Sequence, residues 1–264
     1  MNTQKVIKHI SDWLGDYLKT SNCKGFVIGV SGGIDSAVTS HLAALTGATV
    51  WCIELPIYQH PNQINRARKH IETLQSKFKN VKTIEIGLSS VFTEFSQVIP
   101  QIEEGELKNL ALANARARLR MTTLYYVAGI TQSLVLGTGN KIEDFGVGFF
   151  TKYGDGGVDL SPIADLLKSE VYMLGHALEI IPEIMDAAPT DGLWGDDRTD
   201  EDQIGASYDE LEWAFSFTER RENPAEIEQP RQREVLEIYT RLHKMNQHKM
   251  TSIPVCKIPS DLKV

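Results

Sequence analysis

The chain has 264 residues, 42% hydrophobic and 23% charged, enough for a substantial core within one large domain spanning 1–264. Its net charge of −8 argues against a general nucleic-acid binder, although a local basic pocket stays possible. No run approaches the roughly 18 apolar residues of a membrane-spanning helix, and Cys23, Cys52 and Cys256 are too far apart to suggest a zinc or redox pair, which suits a cytoplasmic setting.

At the N-terminus, Val6, Ile10, Trp13, Leu14 and Leu18 mark one face of an amphipathic helix, with Asp12 and Asp16 where a signal peptide would be apolar. Phe26–Val30 is a short apolar run of the kind that makes a buried strand. Ser31-Gly32-Gly33-Ile34-Asp35-Ser36 breaks it, and Ala37, Val38, Leu42 and Leu45 then recur at helical spacing. Strand, glycine turn and helix in succession place bare backbone N–H groups where a phosphate is welcome. The segment from Gly29 through Val30, Ser31, Gly32, Gly33 and Ile34 to Asp35 and Ser36 therefore reads as a phosphate cradle. It lacks the lysine of a Walker loop and the GxGxxG of a dinucleotide fingerprint. A carboxylate beside phosphate is repelled unless a divalent cation lies between, so Asp35 reads as a Mg²⁺ ligand; its plain alternative is a helix cap.

Thr49–Leu55 reads as a second strand, Asn62–Phe78 as a helix and Val81–Ile86 as a third strand. The alternation predicts an α/β fold: a doubly wound parallel sheet with flanking helices, binding ligands at the carboxyl ends of its strands. Ser89–Val98 and Leu107–Val127 look helical. Ser133–Gly137 is a further strand, ending in Gly137-Thr138-Gly139-Asn140. Glu143, just beyond, would stand beside the first loop's crevice and share a metal with Asp35, or else be a surface glutamate. Arg116 and Arg120 fall on one helical face and Arg118 on the other, a pattern that alone reads as a solvated basic face. Gly148–Asp159 packs four glycines, Phe149, Phe150, Tyr153, Lys152, Asp155 and Asp159 into twelve residues, offering flat faces and a cation to a heteroaromatic ring, or a packed turn. After a polar, acidic stretch come helical segments at Tyr208–Phe217 and Glu226–Met245, then a tail with Pro254 and Pro259 that is expected to be irregular.

The SGGxDS string resembles the loop of ATP enzymes that release AMP and pyrophosphate, which implies an adenine nucleotide alpha hydrolase-like fold. NxxARxRM, GTGN followed by Glu143, GFFTKYGDGG, LSPIADLLKSEV, APTDGLW, DEDQIGASYDELE and a late His248-Lys249 then occur in the order seen in NAD synthetases. The resemblance covers roughly Gly25 to Lys249, and with no glutaminase domain preceding it the ammonia-dependent form is expected. It implies ATP-dependent amidation of deamido-NAD by ammonia, a ligase reaction giving NAD, AMP and pyrophosphate through an adenylated intermediate. It further implies that Thr138, Lys168 and Thr190 join the Gly29–Ser36 loop on ATP, with Asp35 and Glu143 on Mg²⁺. Arg118, Lys152, Asp159, His248 and Lys249 would contact deamido-NAD, with Asp35 and Asp159 as the catalytic carboxylates. The interval between Glu143 and Gly148 is one residue longer than the common form, so Asp144 is an alternative metal ligand. Trp194–Asp202 would be a segment that orders over bound substrate, and a homodimer with the dinucleotide across its interface is implied. Two rivals are another ATP-pyrophosphatase, which would want paired cysteines or a dimerising C-terminal domain, and a regulatory module that holds ATP without turnover.

Overall fold

The computed structural model describes residues 1–100, 102, 104–190, 192 and 199–263. Helix α1 (Thr3–Ser21) is capped by Asn2, whose side chain accepts the Lys5 N–H at 3.1 Å, and it buries Ile7, Ile10 and Leu14 on one face. Four β/α segments follow in the order that the apolar runs predict: β1 (Gly25–Gly29), α2 (Ile34–Leu45), β2 (Thr49–Glu54), α3 (Pro61–Lys77), β3 (Val81–Glu85), α4 (Ser89–Val98), α5 (Glu106–Thr131) and β4 (Ser133–Leu136). The four strands make one parallel sheet in the order β3-β2-β1-β4. The chain steps outward from β1 to β3, then crosses back over α4 and α5 to place β4 on the far side of β1. Connections therefore leave β1 and β4 in opposite directions, which opens a crevice at the carboxyl ends of that pair.

Both faces of the sheet are covered, as a parallel sheet requires. On one face β1 and β2 pack Phe26, Ile28, Val50 and Cys52 against α1, α2 and α3, together with α6 (Lys168–Ala177) and the short α7 (Pro182–Met185). On the other, Val27, Ile53 and Val135 meet Leu88, Phe92, Val127 and Ala128 of the α4–α5 layer. A third cluster lies beyond the sheet. There a π-helical turn over Ile142–Val147 packs on α8 (Asp200–Ile204), α9 (Tyr208–Glu219) and α10 (Pro230–Met250). The last helix begins at Pro230 rather than Glu226, because Pro224–Glu226 closes a separate 3₁₀ turn and proline fits the first helical position. It ends at Met250, which places His248 and Lys249 in its final turn. The tail beyond it is exposed and, apart from a 3₁₀ turn at Ser260–Leu262, irregular as expected. Among the described residues no helix is long and apolar enough to cross a membrane.

Two imidazoles sit inside the α2–α3 contact. His70 is 1% exposed, with Nε2 2.9 Å from Ser40 Oγ, and His41 packs edge-on to Phe78. Burial, and for His70 also the neighbouring His41, pushes both down to about 4 from 6.5. A base whose folded value lies below its unfolded one stays neutral in the fold, so acid favours the unfolded chain. Stability from this pair is complete above pH 6.5 and falls as pH drops toward 4, by on the order of 2 kcal/mol per imidazole at pH 5. Urea unfolding at pH 7 and pH 5 is expected to register this loss, and His70→Gln to shrink it by about half. An equal loss in both proteins would contradict the assignment.

Candidate functional site

The crevice holds a cavity of about 260 Å³ at the carboxyl ends of β1 and β4. Its floor is the turn after β1. Gly32 adopts φ +84°, and a Cβ there would lie 2.5 Å from the Gln63 carbonyl oxygen of α3, so only glycine suits the position. Arg66 of α3 braces the turn from outside, Nε donating to the Gly32 carbonyl at 3.2 Å. Within the turn, Ser36 Oγ donates to the Gly33 carbonyl at 3.0 Å and lies 3.2 Å from Ser31 Oγ. Gly33 precedes helix α2 and donates its own N–H to Ser31 Oγ at 3.3 Å; no side chain caps the helix, and its first residues, Ile34, Asp35 and Ser36, line the cavity. Asp35 is not the cap: its carboxylate turns across the crevice.

Opposite the turn, the loop after β4 and the start of α6 supply the partners of Asp35. Lys168, the first residue of α6, is 3% exposed; its Nζ donates to Asp35 Oδ2 at 2.6 Å and to Glu143 Oε1 at 3.0 Å. Asn140 Nδ2 donates to Asp35 Oδ1 at 3.2 Å, and Asn140 Oδ1 accepts the N–H groups of Ile142 and Glu143. Tyr208 of α9 donates its hydroxyl to Glu143 Oε1 at 2.5 Å, while the Lys168 ammonium lies 4.6 Å from its ring centre. Burial alone would push Lys168 down, but Asp35 and Glu143 outweigh it and hold the ammonium charged well above its ordinary range. Burial and then the charges of Glu143 and Asp155 push the Asp144 carboxyl up to about 8. Among the described lining residues are the carboxylates Asp35, Glu143, Asp144, Asp155 and Asp200, against the cations Lys168, Arg66 and Arg120.

The sequence-predicted residues fall into two groups. The whole Gly29–Ser36 loop, Thr138, Glu143, Asp144, Lys168 and Thr190 line the cavity. Arg118, Lys152, Asp159 and His248 do not, while Lys249 lines a smaller adjoining cavity with Phe150, Asp144 and Asp155. Most of this second group are nonetheless near one another, spending their donors on backbone. Arg118 donates to the Lys152 carbonyl at 3.2 Å, and Lys152 Nζ to the His248 carbonyl at 2.5 Å. Lys249 Nζ donates to the carbonyls of Gly148 and Phe150, both at 2.8 Å. Asp159 stands apart as a brace, accepting from Tyr125 Oη at 3.0 Å and from the Val135 N–H of β4 at 2.8 Å. Asp155 is the carboxylate of the Gly148–Asp159 stretch that reaches the cavity wall.

A family model described as NAD synthase matches residues 6–253. The NH(3)-dependent NAD(+) synthetase of Mesoplasma florum is 35% identical over 94% of this chain and 95% of its own. That of Alkaliphilus oremlandii is 36% identical over 97% and 98%. The chain belongs to the NAD synthase family. Among solved structures it is similar to the NMN synthetase from Francisella tularensis, with a TM-score of 0.82 and 31% identity over 98% of this chain and 99% of that one.

The interval between Glu143 and Gly148, expected to be one residue longer than in similar sequences, has an unusual backbone. The turn over Ile142–Val147 is π-helical, and a π turn accommodates one residue more than an α turn would. It brings both Glu143 and Asp144 to the cavity, so the choice between them as ligand does not arise from reach. Gly139 makes the room: a Cβ there would lie 2.1 Å from Asp144 Oδ1. Several lining residues escaped the sequence reading. Arg120, expected on a solvated face, donates Nε to the Leu55 carbonyl at 3.1 Å and lines the cavity, and Arg116 lies over the Phe92 ring. Tyr208 and Asp200 sit inside the quoted DEDQIGASYDELE string, but nothing in its spacing marks them as facing a site some sixty residues earlier in the chain. Phe149 and Phe150 do line the cavity, whereas Tyr153 is about half exposed. Of the expected covering segment Trp194–Asp202, residues 194–198 lie outside those described.

Proposed function

We propose that this chain amidates the nicotinate carboxylate of deamido-NAD with ammonia, at the expense of ATP, in the cavity between β1 and β4. The observation that carries the reading is the uncapped start of α2, with Asp35 in its first turn held by the buried Lys168. The carboxylate oxygen of the acceptor attacks the α-phosphorus of ATP, and the bond to the β-phosphate oxygen breaks to release pyrophosphate. Ammonia then attacks the carbonyl carbon of the acyl-adenylate; AMP leaves and one proton passes to a base, giving NAD. The α2 amide groups and Lys168 would bear on the triphosphate, so catalysis is chiefly positioning and charge neutralisation. Thr138 and Thr190 line the same space and would contact the nucleotide. Phe149 and Phe150 in the wall would shelter the mixed anhydride from water. We place the acceptor toward Arg118, Lys152, Asp159, His248 and Lys249. For the proton, Asp144 and Asp155 are nearer the cavity than Asp159.

A divalent cation suits the residues present. Among the described residues no three His, Cys, Asp or Glu side chains stand ready as a metal cage. Mg²⁺ asks for less, because it takes one or two protein carboxylates and completes its shell with phosphate oxygens and water. Asp35 and Glu143, with Asp144 beside them, offer such oxygens on a wall where carboxylates outnumber cations. When bound, the ion would neutralise charge on the departing pyrophosphate.

We also read residues 1–264 as one domain and the molecule as a homodimer. Tyr126 and Ile130 on α5, with Val98 on α4, are each at least two-thirds exposed, an apolar face that a second copy would cover. Light scattering is expected to give twice the chain mass; the mass of a single chain would remove that reading.

A second acceptor deserves a direct comparison, because the structural relative at TM-score 0.82 is an NMN synthetase. Nicotinate mononucleotide carries the same reacting carboxylate without the adenylate half. Continuous formation of AMP and pyrophosphate is expected only from ATP, deamido-NAD and ammonium together, with ATP and deamido-NAD alone giving no more than one pyrophosphate per site, and with turnover slower on the mononucleotide. Asp35→Ala is expected to lower this rate by at least ~10²-fold, the scale of losing one preorganised charge contact. Equal pyrophosphate release by the variant and the parent would contradict the role of Asp35, and a preference for the mononucleotide would reassign the acceptor.

A further inference from the structure

Glu143 receives two hydrogen bonds on one oxygen. Lys168 Nζ and Tyr208 Oη both donate to Oε1, at 3.0 and 2.5 Å. A carboxylate turns easily about its last torsion, which has a broad, roughly two-fold profile. Two donors converging on Oε1 from different elements, α6 and α9, hold that torsion and leave Oε2 with no donor among the described residues. Lys168 cannot fix the group alone, because its ammonium is shared with Asp35 and its three protons rotate freely.

The surroundings of Tyr208 fit a holding role. It is 6% exposed and its ring packs in the third apolar cluster with Leu211, Val235 and Tyr239, so the hydroxyl is delivered by a rigid body. Its backbone N–H is tied at 2.9 Å to Glu201 of α8. Asp200 Oδ2 lies 3.4 Å from the same hydroxyl, but a phenol has one proton and the nearer Glu143 takes it.

We propose that Tyr208 is a positioning residue that fixes the Glu143 carboxylate for a divalent cation. The proposal rests on the metal role given above to Asp35 and Glu143. Outer hydrogen-bond partners of this kind set ligand orientation, and their loss commonly weakens metal binding by about 10- to 100-fold. Tyr208→Phe keeps the ring and its packing and removes only the donor.

Water proton relaxation enhancement with Mn²⁺, measured on the full chain with saturating ATP, separates protein-bound ion from ion on free nucleotide and needs no turnover. Tyr208→Phe is expected to bind Mn²⁺ about 10- to 100-fold more weakly than the parent, at an unchanged melting temperature. Tyr208→3-fluorotyrosine, which keeps the donor, is expected to match the parent. The double variant Tyr208→Phe/Glu143→Gln is expected to bind no more weakly than Glu143→Gln alone, since the hydroxyl acts through that carboxylate. Parent-like binding by Tyr208→Phe, multiplicative losses in the double variant, or no protein-bound Mn²⁺ in the parent would each overturn the proposal. AMP formation by the parent is a separate readout: its absence would remove the amidation reading and leave this metal result standing.

Discussion

The ammonium of Lys168 lies 2.6 Å from Asp35 and 3.0 Å from Glu143, with almost no solvent around it. Isolated in such a place, each of these charges would be costly; together they offset one another's desolvation. The three residues come from the first turn of α2, the π-helical turn after β4 and the first position of α6, so one ion cluster ties together parts of the chain 133 residues apart. It also sets the shape of the cavity. Asp35, in the first turn of α2, reaches across the crevice to Lys168 and Asn140, and no side chain caps that helix start. Asn140 and Tyr208 then complete the cluster from the loop after β4 and from α9.

The sheet was readable because its strands are short, apolar and separated by helical periods, which physics translates with little ambiguity into a parallel α/β order. The loop was readable for a similar reason: Ser31–Ser36 follows one strand and opens one helix, so its chemistry is local. What stayed hidden is non-local. Arg120 looks like a surface charge on α5 until the β2 carboxyl end, with the Leu55 carbonyl, is placed beneath it. Tyr208 reads only as the first residue of a helical segment until α9 is packed on the π turn. The interval after Glu143 reads in the sequence as a loop with a choice of carboxylates, and only the backbone reveals that a π turn spans it and that Gly139 yields the space Asp144 fills. Asp159 is the converse case. Its place in the family pattern suggests contact with substrate, yet both of its oxygens brace α5 against β4.

The wall's charge suits its proposed work. Carboxylates outnumber cations around the cavity, and burial, followed by the charges of Glu143 and Asp155, pushes Asp144 up to about 8. An excess of this kind repels a triphosphate unless a cation accompanies it, and it attracts ammonium. Both are components of the proposed reaction, whereas a module that merely stored ATP would gain nothing from crowding its phosphate loop with acids. Ammonia transfer also demands that water be kept from the activated carbonyl, which fits a site lined by Phe149 and Phe150 and flanked by the helical layer of α8, α9 and α10.

The most direct measurement is a crystal of this chain soaked with ATP and refined for the positions of the phosphates and of Lys168 Nζ. The expected density has the triphosphate against the Ser31–Ser36 backbone, with Lys168 turned from Asp35 toward a phosphate oxygen. Nucleotide bound elsewhere, with that loop vacant and Lys168 still between its two carboxylates, would contradict the account.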